Sequence, residues 1–491
     1  MDHILLLLLV VLVPLFLLLM LPIKINSRTG GVRLPPGPWR LPVIGNLHQV
    51  MLRGPLLHRA MADMARRLGD APLMYVRLGE VDAVVASSAE AAREITSGAH
   101  DLPFACRPLT PTVAALRPGG AGLGFAPYGA AWRLLRRICV AEILGARRVR
   151  RRRPPASSPR AAASPSSVVN LGERIAAAVS DSTVRAMIGD RFERRGEYLA
   201  EVNEQLKLLG GFSLDDMFPS SRLASAIGGG VRRAEANGRN LDELIDCIIR
   251  QHERRRVDGD NGMEEENNQD LIDVLLSIQK QSEFETPLTM EQIKAVILDI
   301  FVGGSETSST ALQWAMSELM RNPKVMQKAQ AEIRDKLGEK PTVTEDDLSN
   351  PKYLKFVIKE SLRLHPVIPL IPRKCRESCK IMGYDIPRGT SVYLNDDAEE
   401  FKPERFEKSV IDFKGMDLEF MPFGTGRRIC PGVASAEAIM VLLLGTLLYH
   451  FDWKLPCGIT SNELDMAEEM AVTVRRKNDL HLRPILRVPQ A

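Results

Sequence analysis

A cysteine near the carboxyl end lies in a segment that is suited to binding a metal through sulfur. Residues 423–432 read Phe-Gly-Thr-Gly-Arg-Arg-Ile-Cys-Pro-Gly, and the apolar residues 434–448 that follow are predicted to form a buried helix. Arginines, backbone N–H groups and a helix N-terminus directed at a sulfur stabilise its thiolate form. Glycines let a backbone approach a flat group closely. This pattern predicts that Cys430 is a thiolate ligand of haem iron.

A buried cysteine with only a packing role is the alternative, because free cysteine is among the most buried residue types. For Cys430 taken alone, that alternative is the better one. However, the offsets of Phe423, Gly426, Arg428, Cys430 and Gly432 resemble those of the haem-binding loop of the cytochrome P450 family. The resemblance implies that these residues bind haem b and that Cys430 ligates its iron, which favours O–O cleavage.

A second chemical motif interrupts the apolar pattern of a helix predicted over residues 289–320, where residues 303–307 read Gly-Gly-Ser-Glu-Thr. Two glycines inside a helix cost about 1 kcal/mol each relative to alanine, and the close approach of a flat cofactor is one reason for them. Thr307 could donate a hydrogen bond to dioxygen, and Glu306 could relay protons from solvent. A helix N-terminus capped by Ser305 and Thr307 is the alternative.

The same segment resembles the oxygen-activating motif of the cytochrome P450 family. This resemblance implies that Glu306 and Thr307 are catalytic, and it argues against the isomerases of the family, which often lack the acid and threonine pair. The chain is therefore expected to use O2.

Trp132 and Arg136 lie four residues apart, on one face of a helix, where they could hydrogen-bond a propionate. They resemble the Trp-Arg-x-x-Arg motif of the family, which has this role. The resemblance adds Arg373 and Arg428 to the propionate site, and arginine suits carboxylates because its donors form a planar fork.

Glu360 and Arg363 lie three residues apart, a spacing that for an exposed pair contributes only about 0.2–0.5 kcal/mol. They resemble the family's Glu-x-x-Arg motif, which joins the arginine of a Pro-Glu-Arg-Phe segment, here Arg405. The resemblance implies a structural triad of Glu360, Arg363 and Arg405 behind the haem.

The substrate pocket is also predicted by resemblance, from three segments at residues 103–125, 300–304 and 367–370. Its residues would be Phe104, Leu123, Phe301, Gly303, Val367, Ile368 and Leu370. Such a pocket has few polar groups, which predicts a lipophilic small-molecule substrate.

The elements that must position these residues are predicted to be mostly helices. Periodicity and capping residues predict helices over residues 87–97, 171–188, 198–208, 230–257, 270–280, 289–320, 323–337, 351–364 and 434–449. Strands are predicted at residues 73–78, 82–86, 381–386, 391–394 and 473–475, the first two forming a hairpin. Residues 147–167 and 258–270 are predicted to be loops. The fold class is mainly α with small β-sheets, and by resemblance the cytochrome P450 fold.

The composition excludes several function classes. The 491 residues are 45% hydrophobic and 26% charged, which is typical of a large globular domain. A net charge of +4, and an arginine cluster at residues 147–153 without interleaved aromatics, predict no nucleic-acid partner. Seven scattered cysteines argue against a disulfide framework and indicate a reducing compartment.

The amino terminus is predicted to be a membrane anchor. The apolar residues 4–21 would span about 27 Å as a helix, against a hydrocarbon core of about 30 Å. A cleaved signal peptide is the alternative, but there is no basic start and no Ala-x-Ala site. Three basic residues follow the apolar run, which predicts a cytosolic catalytic domain. We therefore expect an anchor at residues 1–23, a basic and proline-rich hinge at 24–46, and the haem-thiolate domain at 47–491, in the endoplasmic reticulum membrane.

Together the motifs imply a monooxygenase that hydroxylates a lipophilic molecule, with electrons from NADPH through an NADPH–cytochrome reductase. The chain resembles the plant branch of the family that serves specialised metabolism, with a terpenoid as the leading substrate class and indole-derived or phenolic substrates behind it. Arg133, Arg137 and Arg427 could form a basic docking face for the reductase, or an ordinary solvated surface.

The chain departs from the family pattern after Asn395, where a Trp-Ala-Ile-x-Arg-Asp-Pro-like stretch is missing, and again at residues 147–167. These departures leave open a catalytically impaired or non-catalytic haem-binding protein tethered to the membrane. A haem-thiolate isomerase, which would need no NADPH, is a further alternative.

Overall fold

The computed structural model describes residues 28–29, 31–144, 167–188, 193–210, 213–258, 270–280, 288–395 and 401–487. The α-helices within these ranges are α1 (Leu47–Leu52), α2 (Leu57–Arg67), α3 (Ala89–Thr96), α4 (Pro111–Leu116), α5 (Ala130–Ile138), α6 (Leu171–Ile188), α7 (Arg195–Leu209), α8 (Leu214–Met217), α9 (Arg222–Gly228), α10 (Gly230–Asp258), α11 (Leu271–Lys280), α12 (Met290–Arg321), α13 (Pro323–Leu337), α14 (Lys352–Leu364) and α15 (Val433–His450). The strands are β1 (Arg28–Thr29), β2 (Val32–Arg33), β3 (Leu73–Leu78), β4 (Val81–Ala86), β5 (Val169–Asn170), β6 (Leu370–Lys374), β7 (Cys379–Ile381), β8 (Tyr384–Ile386), β9 (Ser391–Asn395), β10 (Phe451–Lys454), β11 (Glu468–Met470), β12 (Val474–Arg476) and β13 (His481–Leu486). The predicted fold class, mainly helical with small sheets, is confirmed.

The longest helix, α12, begins where its capping residues predict. The Thr289 hydroxyl accepts from the Gln292 N–H at 3.2 Å, and the Gln292 side chain accepts from the Thr289 N–H at 3.1 Å, which forms a capping box. The helix then runs for 32 residues, through residues 303–307. The alternative that residues 303–307 start a helix is therefore wrong.

The largest sheet has the strand order β3-β4-β9-β6. The predicted hairpin of β3 and β4 is confirmed, with Leu73 opposite Ala86. Strand β6 was not predicted, because Pro372 removes a donor from the ladder, and it lies at the edge of the sheet, where proline is tolerated. The prediction of one strand over residues 381–386 is wrong, since Met382 and Gly383 have positive φ and turn the chain between β7 and β8.

The apolar core lies on both sides of the middle of α12. The carboxyl half of α12 packs with α6, α13, α14 and α15 in one cluster, which includes Leu312 and Leu444. The amino half packs with α10 and α11 in a second cluster, which includes Val296 and Leu275. Residues 303–307 therefore fall between two core clusters, in the interior of the domain.

Several predictions fall outside the described residues, namely the anchor at residues 1–23, most of the two loops at 147–167 and 258–270, and the segment directly after Asn395. Among the helices that the structure describes, α15 alone is long and apolar enough to cross a membrane. Half of α15 is buried and its side chains belong to the core cluster around Leu444, so it is a core helix of the domain.

Candidate active site

Cys430 lies in a tight loop just before α15. Its N–H donates to the carbonyl oxygen of Phe423 at 2.9 Å, and the Gly432 N–H donates to its Sγ at 3.3 Å. Gly426 has a φ of +65°, and a Cβ added there would lie 2.9 Å from the carbonyl oxygen of Thr96. Only glycine fits at that position. The loop therefore fixes the direction of the Cys430 sulfur.

Cys430 and the middle of α12 are both partly accessible. Cys430 is half-buried. Gly303 is exposed although α12 crosses the core, and outside the helix's own backbone no atom of the described residues would lie within 4 Å of a Cβ added there. One turn later, the half-buried Thr307 donates its hydroxyl to the Gly303 carbonyl at 2.5 Å.

The charge around Cys430 is positive. Burial raises the pKa of the Cys430 thiol, whereas the Gly432 N–H and the charges of Arg136 and Arg107 lower it. Arg107, whose Nη1 donates to the Pro372 carbonyl at 2.7 Å, was not among the residues predicted from the sequence. Its only sequence signal was a positive charge inside the segment 103–125. Both arginines favour the thiolate form of Cys430.

Arg373 adds to an excess of buried positive charge. Its pKa lies well below the usual value, because it is buried and because Arg107 and Arg428 are close to it, although Asp101 opposes their effect. Its Nη2 donates to the Thr425 carbonyl at 2.8 Å, while its Nη1 is buried with no hydrogen-bond partner among the described residues. Such a group fits a ligand that carries carboxylates, and the two propionates of haem meet this requirement.

Trp132 and Arg428, which the resemblance places at the haem propionates, also contact a neighbouring segment of the chain. Trp132 Nε1 donates to the Leu123 carbonyl at 3.0 Å, and the Arg428 guanidinium stacks on the Trp132 ring at 4.3 Å. Arg428 also donates to the carbonyl oxygens of Ala105 at 2.6 Å, Leu123 at 3.2 Å and Ala126. Trp132 and Arg428 therefore hold the segment 105–126, and Arg107, Arg136 and Arg373 join them as candidates for binding carboxylates.

The side chains of Glu306 and Thr307 form hydrogen bonds with different parts of the protein. Its Oε1 accepts from the Thr473 hydroxyl at 3.1 Å and from the Thr310 hydroxyl at 3.4 Å. Thr473 is buried in the turn between β11 and β12. Glu306 and Thr307 are therefore adjacent in sequence but have different hydrogen-bond partners.

The three residues of the predicted structural triad lie together. Glu360 is fully buried and accepts from Arg363 at 2.8 and 3.0 Å and from Arg405 at 2.8 Å. The Lys402 N–H donates to the same carboxylate at 2.6 Å. Lys402 and Arg405 therefore lie against α14.

The predicted pocket residues do not form one cluster. Leu123 and Phe301 pack in the cluster around the amino half of α12. Asp299 holds the loop of Leu123 to α12, because its carboxylate accepts from the Leu123 N–H at 2.6 Å and the Gly124 N–H at 3.1 Å. The other apolar pocket residues lie in three further clusters or at the surface, namely Phe104, Val367, Leu370 and the 38% exposed Ile368.

The fold and the loop of Cys430 define a haem-thiolate protein, and comparison with known proteins agrees. The family model described as Cytochrome P450 matches residues 35–482. Similar proteins include the desmethyl-deoxy-podophyllotoxin synthase of Sinopodophyllum hexandrum, which is 43% identical over 96% of this chain and 95% of that protein. The premnaspirodiene oxygenase of Hyoscyamus muticus is 41% identical over 93% of each chain, and the ent-cassadiene hydroxylase of Oryza sativa subsp. japonica is 41% identical over 94% of each.

The chain belongs to the cytochrome P450 family. It is a haem-thiolate monooxygenase, an oxidoreductase that uses haem iron, O2 and electrons from a reductase on a lipophilic substrate. The family and the enzyme class predicted from the sequence are confirmed.

Proposed function

We propose that the protein hydroxylates a terpenoid in plant specialised metabolism. The observation that carries the proposal is the half-buried Cys430, whose sulfur accepts from the Gly432 N–H beside arginines with an excess of buried positive charge. Relatives named for premnaspirodiene and ent-cassadiene support a terpenoid substrate. The relative named for a podophyllotoxin supports a phenolic substrate as the second candidate.

Haem b, when bound, supplies the activation of dioxygen. Cys430 would ligate its iron, and the Gly432 N–H together with Arg107 and Arg136 would hold negative charge on the sulfur. Arg107, Arg136 and Arg373 would bind the propionates, because guanidinium donors match carboxylate oxygens. Trp132 and Arg428 would bind the propionates together with these arginines. Phe423, Gly426 and Gly432 would shape the haem-binding loop around Cys430.

Thr307 and Glu306 would deliver protons to the haem site. The Thr307 hydroxyl, which donates to the Gly303 carbonyl, lies one turn from the exposed Gly303 and could rotate to donate a proton on that side of α12. The Glu306 carboxylate would pass protons from solvent toward that side of the helix. Phe301, which is 1% exposed, would keep bulk water out on the amino side of Gly303.

We further propose that residues 1–23 anchor the protein in the endoplasmic reticulum membrane, with residues 24–46 as a hinge and residues 47–491 as the cytosolic catalytic domain. The apolar residues 4–21 and the basic residues after them support this topology. An NADPH–cytochrome reductase would supply the electrons. Its docking face would include Arg427, which is exposed and donates to the Tyr128 hydroxyl at 3.0 Å, although its ion pair with Asp101 at 3.0 Å reduces the free charge.

The test is turnover by the full-length protein in microsomes that contain the reductase. We expect a product one oxygen atom heavier from a sesquiterpene or diterpene hydrocarbon, with that oxygen derived from labelled O2 and with a requirement for NADPH. Microsomes with Cys430→Ala serve as the control. A product formed from a hydroperoxide without NADPH would favour the isomerase alternative. Haem incorporation without turnover of any terpenoid or phenolic substrate would favour the non-catalytic one.

A further inference from the structure

We infer that Thr473 is a positioning residue for proton delivery, because its hydroxyl orients the carboxylate of Glu306. The inference rests on the proposed function, in which Glu306 passes protons toward the haem site. It concerns a residue in a β-turn near the carboxyl end of the chain, far in sequence from both chemical motifs.

The contact joins a buried threonine to a half-buried glutamate. Thr473 Oγ1 donates to Glu306 Oε1 at 3.1 Å, and Thr473 is 1% exposed. The second hydroxyl on the same oxygen, that of Thr310, is more distant at 3.4 Å. Because a β-branched side chain has few χ1 rotamers, the Thr473 hydroxyl is a stiff donor. It therefore restricts where the Glu306 carboxylate can lie.

The turn that carries Thr473 is itself fixed to the helix that carries Glu306. The Ala471 N–H donates to the Thr473 carbonyl at 2.9 Å, which closes the turn. Trp314 Nε1, two turns after Glu306 on α12, donates to the Val474 carbonyl at 3.0 Å. The Val474 N–H donates to the carbonyl of Val367, in a predicted substrate segment, at 2.8 Å. The residue after Thr473 is thus held by hydrogen bonds to both α12 and the segment of Val367.

Without the Thr473 hydroxyl, the Glu306 carboxylate would retain, among the described side chains, only the longer bond from Thr310 and would sample more rotamers. Proton transfer needs a donor within hydrogen-bond reach, so delivery would slow. Dioxygen that receives two electrons and two protons and is then released leaves as hydrogen peroxide. Complete reduction, with four electrons and four protons, leaves two water molecules. The ratio of peroxide to water therefore reports on proton delivery and needs no identified substrate.

The experiment compares full-length wild-type protein with Thr473→Val in microsomes with reductase, measuring NADPH and O2 consumed and peroxide formed. We expect a peroxide-to-water ratio roughly tenfold higher in Thr473→Val, since a hydrogen bond to a charged group is lost. Thr473→Ser should restore the wild-type ratio. Thr446→Val is the matched control, because Thr446 is also a buried threonine but donates to the Leu442 carbonyl within α15.

A double-mutant cycle decides whether Thr473 acts through Glu306. In a Glu306→Gln background, Thr473→Val should change the ratio no further. Thr473→Ala is measured beside it, so that a folding defect of one variant does not decide the result. An unchanged ratio in variants that bind haem normally, or additive effects in the cycle, would overturn the inference. Wild-type protein without a haem-thiolate spectrum would overturn the proposed function itself, and this inference with it.

Discussion

The carboxylate of Glu360 and the guanidinium of Arg405 lie 2.8 Å apart, across 45 residues of chain. Glu360 is fully buried, whereas Arg405 keeps 35% of its side-chain surface exposed. Arg363, one turn along α14, binds the same carboxylate from the other side. One buried charge therefore joins the core helix α14 to the segment that leads to the cysteine loop.

We predict that Glu360→Ala lowers the free energy of unfolding by up to about 3–5 kcal/mol, because Arg363 and the more exposed Arg405 lose the buried carboxylate that they share. Urea unfolding followed by circular dichroism measures the change, and microsomal haem content should fall in parallel. Glu469→Ala is the control, because Glu469 pairs with Arg475 at 2.7 Å on the surface. There we expect a loss of at most about 1 kcal/mol. Equal losses for both variants would contradict the structural role of the triad.

Gly303 should accept a side chain without loss of stability but not without loss of function. In the part of the chain that the structure describes, nothing outside the helix's own backbone lies within 4 Å of an added Cβ, and alanine is favoured over glycine in a helix by about 1 kcal/mol. Gly303→Ala should therefore keep or raise the unfolding free energy. Gly303→Leu should lower product formation at least roughly tenfold by filling the open space.

Gly445 provides the matched control for Gly303. It lies in α15, but its added Cβ would approach Leu348 Cδ1 to 2.6 Å in the packed core. Gly445→Ala should therefore destabilise the protein, by roughly 1–3 kcal/mol. If Gly303→Ala were as destabilising as Gly445→Ala, the space beside Gly303 would have to be filled by protein atoms.

Arg373→Met should have opposite effects on the haem-free and haem-bound protein. In the haem-free protein, removing a buried cation beside Arg107 and Arg428 relieves desolvation and repulsion, so stability should be kept or increased. In the haem-bound protein, the loss of a charged donor to a propionate should speed haem transfer to apomyoglobin roughly tenfold. An unchanged rate of haem transfer would contradict the assignment of Arg373 to the propionate site.

His252 on α10 should make stability depend on alkaline pH. Burial lowers its pKa, but hydrogen bonds with Asp270 and Asp273 outweigh burial and raise the pKa to about 9. The stabilisation is complete below the unfolded-state value of about 6.5 and is lost as pH rises through about 9. His252→Gln should therefore cost up to about 3 kcal/mol at pH 6 and almost nothing at pH 10. A cost that does not change with pH would mean that His252 is neutral in the folded protein.

Local signals in the sequence were sufficient for the long helices, and less so for the sheets. Thr289 with Gln292, and proline at the start of α13, mark helix ends through contacts within one turn. Strands β6 and β13 contain Pro372 and Pro484, which oppose strand formation locally, and only pairing with β9 and β10 reveals them.

The residues of the site likewise fall into those that local motifs identify and those that only the folded structure identifies. Cys430, Glu306 and Thr307 could be found from their motifs, because residues within a few positions set their surroundings. The roles of Arg107 and Thr473 could not be predicted from their motifs. Arg107 acts on Cys430 through its charge, and Thr473 hydrogen-bonds Glu306, only after the chain has folded. The contacts of Trp132 and Arg428 with the Leu123 carbonyl likewise depend on a distant loop.

The central claim is that Cys430 binds haem iron as a thiolate, and the carbon monoxide difference spectrum of the reduced full-length protein tests it most directly. Wild-type protein should show the red-shifted Soret band of thiolate-ligated haem, and Cys430→Ala should lose it. Cys247→Ala, which removes another half-buried thiol, should keep the band. A wild-type protein that binds haem without this band, or a Cys430→Ala variant that retains it, would contradict the claim.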